Sequence, residues 1–374
     1  MDMQTLYNAR QRRLAGAIER SGLNAIALNP GPSLYYLTGL NFHLMERPVV
    51  ALFPIHDTPC IVLPELEAAK VQSVSFPLRA FTYGEDPSRW PEAFQQAVRT
   101  LELENGVIGV EPLRLRFLEL RLLEEALPQG RFVSGADLVA SLRRIKDPSE
   151  AAAMRRAVDI AQRALNAALP SIRPGTSERE LASELTLQLY RHGSDPEMPF
   201  APIVSAGPNS ANPHASPTNR LIVPGDLLVI DWGASTERYF SDLTRTFAIG
   251  EVEPRLREIA RLVKEANLAA QAAVRPGVSA AAVDRAARQV IEAAGYGEFF
   301  IHRTGHGLGL DAHEEPYIRA GNDEILEPGM AFTIEPGIYL PGDNGVRIED
   351  NVIVTQEGCE VLSDLPRDLI SIGT

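Results

Sequence analysis

Several features are scarce in this 374-residue chain, and each absence excludes a class of protein. Only two cysteines occur, Cys60 and Cys359, and neither has a neighbouring cysteine at metal-ligand spacing, so neither a disulfide framework nor a cysteine-rich zinc site is expected. No apolar run approaches the roughly 20 residues of a membrane span, and the N-terminal segment lacks the apolar core of a secretory signal. These absences predict a cytoplasmic protein with no membrane partner.

Basic residues are also scarce relative to acidic ones. The chain has 36 Lys and Arg against 49 Asp and Glu, which gives a net charge of -13. Binding to nucleic-acid phosphates needs clustered basic side chains, so this balance argues against a nucleic-acid partner. The 45% hydrophobic and 23% charged residues are typical of a soluble globular protein, and the length exceeds one ordinary core. We therefore expect two domains.

The first 142 residues predict an α/β domain. Its expected elements are a surface helix over Thr5–Ser21 and strands over Asn24–Leu28, Leu34–Leu37, Val49–Pro54, Cys60–Leu63 and Val107–Val110. The domain boundary is predicted near 142–147, because Asp147 can cap a helix, Pro148 suits its first turn and Glu150 is at capping-box spacing. An Ala-rich helix should then run from Pro148 to about Leu169. The expected domains are 1–142 and 143–374.

The second domain contains an internal repeat. The segment starting at Arg173, RPGTS, recurs at Arg275 as RPGVS, an offset of 102, and each copy precedes an amphipathic helix. Pro-Gly also precedes Asp231 and Glu335, with the carboxylate six residues after the glycine in both places and an offset of 104. Two motifs that recur in the same order at nearly the same offset indicate a duplicated helix-and-sheet unit. Each copy would bring a carboxylate to a shared interface.

Two aspartates, Asp231 and Asp242, lie next to apolar strands in the first copy of the repeat. LLVIDWG and RYFSDLTRTF predict a hairpin whose turn is ASTE, so that Asp231 lies opposite Phe240. Asp242 is two residues past Phe240 and would share a face with Asp231. Two surface aspartates are the alternative, but Asp231 ends an apolar run, where an unpaired carboxylate is costly.

Three further candidates lie near the C-terminus. His306 stands in HRTGHGLGLDAHEEP, one of three histidines within 12 residues, and its neighbouring glycines allow close backbone approach. Glu335 ends the strand AFTI, and Glu349 shares a strand face with Arg347, which could orient it or form an ordinary ion pair with it. With Asp231 and Asp242 these residues form a hard-ligand set for two divalent cations, which is the chemistry of a hydrolase.

Taken together, the motifs VIDWG, YFSDLTRTF, HRTGHGLGL, TIEPG and VRIED resemble those of the pita-bread metallopeptidases, the family of methionine aminopeptidase, aminopeptidase P and prolidase. The N-terminal half, with SLYYLTG, resembles the extra domain of the proline-peptidase and creatinase branch. The resemblance implies an α+β chain with an N-terminal α/β creatinase-like domain. A C-terminal pita-bread domain with a pseudo-two-fold repeat would follow.

The resemblance also implies roles for single residues. Two divalent cations, Mn or alternatively Co, Zn or Fe, would be bound by Asp231, Asp242, His306, Glu335 and Glu349, with Asp242 and Glu349 bridging them. His214 and His313 would contact the substrate near the scissile carbonyl, Glu335 would carry a proton, and Arg347 would orient the ligands. Members of this family often form homodimers, so a homodimer is expected.

The expected substrates are short peptides cut on the amino side of proline. A dipeptidase must bind a free carboxylate, and many prolidases resemble one another in an arginine four residues after the second histidine, where this chain has Tyr317. That departure favours aminopeptidase P on longer peptides, whereas Arg47, or less so Arg319, could substitute and favour an Xaa-Pro dipeptidase. Xaa-Pro dipeptidase is the leading hypothesis. More distant alternatives are a non-catalytic binding module, a creatinase-type hydrolase and a methionine aminopeptidase.

Overall fold

The computed structural model describes residues 3–372 and divides the chain into two compact units. One unit ends at Arg143 and the other begins at Arg144. Within the described residues, none of the helices combines the length and the apolar character that crossing a membrane requires.

A six-stranded sheet and its surrounding helices form the first unit. In chain order the elements are α1 (Met3–Ser21), β1 (Ala25–Leu28), α2 (Pro32–Thr38), β2 (Val50–Pro54), β3 (Cys60–Pro64), α3 (Ala68–Gln72), β4 (Arg79–Tyr83), α4 (Trp90–Thr100), β5 (Val107–Val110), α5 (Phe117–Ala126), β6 (Arg131–Ser134) and α6 (Ala136–Arg143). The strand order is β4-β3-β2-β1-β5-β6, and only the two pairings made by β2 are antiparallel. Apolar side chains of α4, α5 and the central strands form its core.

One expected strand of this unit is a helix. The segment Leu34–Leu37 lies inside α2, so the strand prediction is wrong there. Pro32 occupies the first turn, where its missing N–H costs no hydrogen bond. Gly39 ends the helix with a φ of 72°, and its N–H donates to the carbonyl of Tyr35. These start and stop residues outweigh the strand propensity of the tyrosines between them.

Two strands of the sheet were not predicted from the sequence. They are β4 and β6, which lie at the two edges of the sheet and are only partly buried. Each begins with an arginine, Arg79 or Arg131. An edge strand keeps polar side chains, so a search for apolar runs does not detect it.

The second unit contains two hairpin sheets covered by two pairs of helices. Its elements are α7 (Pro148–Ala168), α8 (Glu178–Arg191), β7 (Ile203–Ala206), β8 (Leu227–Trp232), β9 (Ser235–Thr236), β10 (Tyr239–Phe240), β11 (Leu243–Ile249), α9 (Pro254–Ala273), α10 (Ala280–Ala293), β12 (Gly305–Gly307), β13 (Glu314–Ile318), β14 (Ala331–Ile334), β15 (Gly337–Tyr339), β16 (Gly345–Arg347), β17 (Asp350–Val354), β18 (Cys359–Val361) and β19 (Ile370–Ile372). The larger sheets have the orders β19-β11-β8-β7 and β13-β12-β14-β17-β18.

The repeated sequence motif builds the same local structure twice. Ser177 caps α8 and Ser279 caps α10, each through its side chain. The same two serines form isolated backbone bridges with Leu221 and Ile325, which are also equivalent in the repeat. Helices α7 and α8 share a core with β8 and β11, whereas α9 and α10 share a second core with β14 and β17. The duplicated unit is therefore a helix pair packed on a hairpin.

The capping box predicted at the start of α7 is present. The Asp147 carboxylate accepts hydrogen bonds from the N–H groups of Ser149 and Glu150, and the Glu150 carboxylate accepts one from the Asp147 N–H at 2.9 Å. Glu150 also accepts a hydrogen bond of 2.9 Å from the hydroxyl of Tyr239 in β10. The cap therefore also connects α7 to the hairpin that carries the aspartates.

We expect Asp147→Ala to lower the free energy of unfolding by about 1 kcal/mol, because two N–H groups of the first helical turn lose their acceptor. Urea denaturation measures the change. Asp159→Ala, at an exposed position of the same helix, is the control and should change stability by less than about 0.5 kcal/mol. Equal losses in the two variants would contradict the capping role.

Candidate metal centre and active site

The hairpin of β8 and β11 brings Asp231 and Asp242 to one end of their sheet. Asp231 is the penultimate residue of β8, and Asp242 directly precedes β11. Thr244 pairs with Asp231 across the hairpin. Because Thr244 is two residues after Asp242, the two aspartates lie on the same face, as the sequence predicts.

The register of this hairpin differs from the expected one. Thr244, and not Phe240, lies opposite Asp231, while Phe240 pairs with Ser235. The turn is formed by Glu237 and Arg238, whose φ angles of 51° and 65° are those of a two-residue hairpin turn, so the prediction of a turn at ASTE is wrong. The partner of Asp231 moves from 240 to 244, an even number of positions, so the shared face is kept.

The second hairpin repeats the arrangement with glutamates. Glu335 directly follows β14, and Glu349 directly precedes β17. The N–H of Glu349 donates to the carbonyl of Thr244 at 3.0 Å, in an isolated bridge between the two hairpins. The four carboxylates therefore meet where the duplicated halves face each other.

His306 reaches this cluster from β12. A Cβ atom added at Gly305 would lie 1.8 Å from the carbonyl oxygen of Thr333, and one at Gly307 would lie 2.3 Å from that of Glu315. Only glycine fits at both positions, which lets β12 lie between β13 and β14. The Nδ1 atom of His306 lies 3.0 Å from the carbonyl oxygen of Gly307, so Nε2 is directed to the carboxylates.

The clustered side chains fit a divalent-cation site. One ligand atom from each of Asp242, His306 and Glu349 lies within 4.8 Å of the other two, and His306 Nε2 is 3.5 Å from Glu335 Oε1. Oδ1 of Asp231 is buried and has no hydrogen-bond partner within residues 3–372. Such an oxygen is costly unless another group binds it. Carboxylate oxygens and one imidazole are ligands that divalent metals accept.

Burial dominates the electrostatics of the cluster. It raises the pKa of all four carboxyl groups, Asp242 and Glu349 well above the usual range and Glu335 to about 7. Repulsion from Glu349 adds to the effect at Asp242. Burial also holds the pKa of His306 well below its usual value, so its imidazole is neutral, which is the form that binds metals. Divalent cations would offset the negative charge that burial penalises.

A cavity of about 690 Å³ opens over these residues. Besides the five side chains of the cluster, it is lined by His214, His313, Arg303 and Arg347 and by the apolar Pro199 and Phe200. His214 and His313 are exposed, and the His313 ring lies edge-on to the His306 ring at 4.1 Å between centroids. The structure thus brings eight of the predicted site residues together around one cavity, Arg347 among them.

Comparison with known proteins identifies the family. Residues 152–356 match the model of metallopeptidase family M24, and residues 10–145 match the creatinase/prolidase N-terminal domain. The chain belongs to metallopeptidase family M24. It is therefore a peptidase, and membership of this family implies divalent metal ions.

Similar proteins match this M24 chain over nearly its whole length. The "Probable dipeptidase PepE" of Mycobacterium tuberculosis (strain ATCC 25618 / H37Rv) is 37% identical over 98% of this chain and 97% of its own. The "Xaa-Pro dipeptidase" of Lactobacillus delbrueckii subsp. lactis is 35% identical over 96% of this chain and 97% of its own. The crystal structure of a recombinant prolidase from Thermococcus sibiricus has a TM-score of 0.92 at 34% identity, with 100% of both chains covered. The predicted two-domain creatinase-like and pita-bread fold is confirmed.

Arg347 is hydrogen-bonded to one of the proposed metal ligands of this M24 site and to two residues beside them. It donates hydrogen bonds to Oδ2 of Asp231, to the hydroxyl of Tyr339 at 2.9 Å and to that of Thr244 at 3.1 Å. Thr244 in turn donates to Oε2 of Glu349 at 2.7 Å. Of these three supports, only Arg347 is predicted from the sequence; Thr244 and Tyr339 are not. Thr244 could have been found, because it lies two residues after Asp242 and so shares its face.

The remaining predicted residues have other surroundings. Arg47 lies in the first unit, where it forms ion pairs with Glu46 at 2.6 Å and Glu85 at 2.9 Å. Tyr317 lies in β13, and the guanidinium of Arg303 stacks over its ring at 4.7 Å from the centroid. Arg303 is not among the residues predicted from the sequence. Its position in the glycine- and histidine-rich segment, three residues before His306, was the available signal.

Proposed function

We propose that this M24 peptidase is an Xaa-Pro dipeptidase, which hydrolyses the bond on the amino side of proline in dipeptides. The observation that carries the proposal is the position of Arg303. Its guanidinium lines the same cavity as the carboxylate cluster, and no carboxylate within residues 3–372 forms an ion pair with it. Such a cation suits the C-terminal carboxylate of a dipeptide. The similar proteins named Xaa-Pro dipeptidase and prolidase support the proposal.

The stacking of Arg303 bears on the choice between dipeptides and longer peptides. Tyr317 stands where many prolidases have an arginine, which favours the alternative of an Xaa-Pro aminopeptidase. However, the ring of Tyr317 stacks against Arg303, which lies just before β12 in the chain. The guanidinium of Arg303 therefore supplies a positive charge next to Tyr317. Arg47 is less suited to bind a substrate, because Glu46 and Glu85 already pair with it. We therefore favour the dipeptidase.

The catalytic steps follow from the residues around the cavity. Two divalent cations held by Asp231, Asp242, His306, Glu335 and Glu349 would lower the pKa of water and polarise the scissile carbonyl. His214 and His313 donate hydrogen bonds to the carbonyl oxygen as negative charge develops on it. Glu335 accepts the proton of the attacking water and returns it to the proline nitrogen, which then leaves as an amine.

Substrate shape and metal preference follow from the same surroundings. Pro199 and Phe200 give the cavity an apolar wall, which suits the pyrrolidine ring of proline. Four carboxylates and a single imidazole make an oxygen-rich ligand set, so we propose manganese as the native metal, with Co, Zn and Fe as alternatives.

We further propose a reducing, cytoplasmic setting. Cys60 and Cys359 are both free thiols, and free thiols persist where disulfides are kept reduced. Burial raises the pKa of Cys60 to about 12, so that this thiol is unreactive.

The test is the hydrolysis of Ala-Pro and Ala-Pro-Ala by the purified protein with added Mn²⁺. Wild type should cleave the dipeptide. Arg303→Met should raise the KM for Ala-Pro about 10- to 100-fold, because one charged hydrogen bond is lost, and should change tripeptide kinetics little. Arg47→Met and Arg319→Met are the matched controls and should behave like wild type. Efficient cleavage of the tripeptide with little dipeptide activity would instead make the protein an aminopeptidase.

A further inference from the structure

A buried carboxylate holds the segment that carries His214. Glu178, the first residue of α8, is 0% exposed. It accepts hydrogen bonds from the N–H of Ala206 at 2.8 Å and from the N–H and hydroxyl of Thr218 at 2.9 and 2.6 Å. Both of its oxygens also accept from the amide of Asn209 at 3.0 Å. The Glu178 carboxylate therefore accepts hydrogen bonds from three residues that lie apart in the chain.

These points enclose the loop on which His214 lies. Ala206 ends β7, and Thr218 comes four residues after His214. Near His214 the loop is also held by a hydrogen bond of 3.1 Å from the His214 N–H to Asn212 and by one of 3.2 Å from Arg347 to the Pro213 carbonyl. Closer to β7, the N–H of Gly345 donates to the Ser210 hydroxyl at 2.8 Å. An exposed loop residue can act on a substrate only if its backbone is held by such contacts. Glu178 joins both ends of this loop to a helix.

The internal repeat shows that the fold itself does not require this carboxylate. The N–H groups of Glu178 and its equivalent Ala280 donate to the carbonyls of Arg220 and Glu324, which are equivalent in the repeat. The two helices therefore begin with the same backbone hydrogen bonds. In the second copy the side chain is only a methyl group, and α10 still forms. What distinguishes the first copy is the loop that carries His214.

The second copy holds its own histidine segment by a different residue. Asp284 of α10 is 1% exposed and accepts a hydrogen bond of 2.7 Å from the hydroxyl of Thr304. Thr304 lies two residues before His306, and its carbonyl accepts from the N–H of Glu335 at 2.7 Å. Asp284 therefore supports the segment of proposed metal ligands, whereas the partners of Glu178 lie in and beside the loop that carries His214.

We propose that Glu178 is a positioning residue that holds His214 against the scissile carbonyl. The proposal rests on the function proposed above for His214. A carboxylate suits this place because all of its partners are donors, and the N–H of Ala206 among them is buried and needs an acceptor. Misplacing a group that contacts the substrate by about 1 Å can lower the rate about 100-fold. The hydrogen bonds of Glu178 would prevent such a displacement of His214.

The test is a double-mutant cycle of Glu178→Gln with His214→Ala. The glutamine places an NH2 donor against donors of Thr218 and Asn209. Alone, it should lower kcat for Ala-Pro about 10- to 100-fold with KM little changed, and it should leave the bound-metal content unchanged. In the His214→Ala background the same change should cost less than about 2-fold, because the contact to be positioned is gone. An equal loss in both backgrounds would overturn the proposal.

Two controls separate positioning from general damage. Glu180→Gln, in the same helix, keeps its acceptor for Ser177 and should retain wild-type activity. Asp284→Asn should lower metal affinity, and its loss of activity should persist in the His214→Ala background.

Amide hydrogen exchange tests the role of Glu178 without requiring a measurement of enzyme activity. In Glu178→Gln, exchange should accelerate at the backbone amides of residues 206–218 and nowhere else, and unchanged exchange there would overturn the proposal. If wild type cleaves no proline peptide, the proposed function fails, and this measurement still decides whether Glu178 holds the His214 loop.

Discussion

Replacing Asp242 with asparagine should lower kcat/KM for Ala-Pro about 1,000-fold or more. The proposed cations contribute several kcal/mol to the transition state, and about 4 kcal/mol corresponds to about 1,000-fold in rate. Asp242 is central because its carboxylate lies within 4.8 Å of ligand atoms of both His306 and Glu349. An amide keeps the shape of the side chain but loses its charge and one acceptor oxygen. Steady-state kinetics at saturating Mn²⁺ and mass-spectrometric metal analysis measure the two effects.

The Asp242→Asn variant should still fold. The Asp242 N–H donates to Asn351 at 3.0 Å, and its carbonyl accepts from the Asn351 side chain at 2.6 Å, so that backbone contacts do not depend on the carboxylate. Without metal, its melting temperature should be no lower than that of wild type, because one of four crowded acidic groups is neutral. Asp159→Asn, exposed on α7, is the matched control. Full metal content with activity within tenfold of wild type would show that Asp242 is not a ligand.

Arg347→Met should lower the free energy of unfolding by about 3–5 kcal/mol, since it removes one partner of a buried ion pair. The guanidinium is 4% exposed and pairs with Asp231, whose other carboxylate oxygen already lacks a hydrogen bond within residues 3–372. The activity should also fall about 10- to 100-fold, because residues behind metal ligands typically contribute that much. Methionine fills similar space, so that the lost donors and charge account for the effect.

Urea denaturation with saturating Mn²⁺ and with a chelator measures the change. The loss should be larger in the chelator, because a bound cation gives Asp231 another partner. Arg163→Met removes an exposed arginine paired with Asp159 and should cost less than about 1 kcal/mol. If the urea midpoint of Arg347→Met equalled that of wild type in both conditions, Asp231 would not depend on Arg347.

Elements with strong local signals were predictable from the sequence. The helix starting at Pro148 was predicted from the Asp147 capping box, and the repeat from two RPG segments, because caps and turns depend on residues that are neighbours in the chain. The strand prediction for Leu34–Leu37 is wrong because the flanking Pro32 and Gly39 start and end a helix, and these signals outweigh the strand propensity of the residues between them. Edge strands β4 and β6 were missed because they carry no apolar run.

The site was predictable to the extent that it lies at strand ends. Asp231 and Glu335 directly follow apolar runs at equivalent points of the repeat, which marks them in the sequence. The hairpin register was not predictable, because the turn at Glu237 and Arg238 has no glycine or asparagine to indicate its positive φ angles. The shared face of the aspartates was nevertheless correct, since an even shift preserves alternation.

The sequence by itself determined the fold family, the two-domain order and which acidic and histidine side chains stand where a metal centre would need them. These depend on motifs of a few adjacent residues. Only the tertiary structure showed that Arg303 stacks on Tyr317 beside the cavity and that Glu178 holds a loop whose far end, Thr218, is 40 residues away. Such contacts depend on how distant strands and loops pack. Because no local periodicity encodes them, they become visible only once the chain is folded.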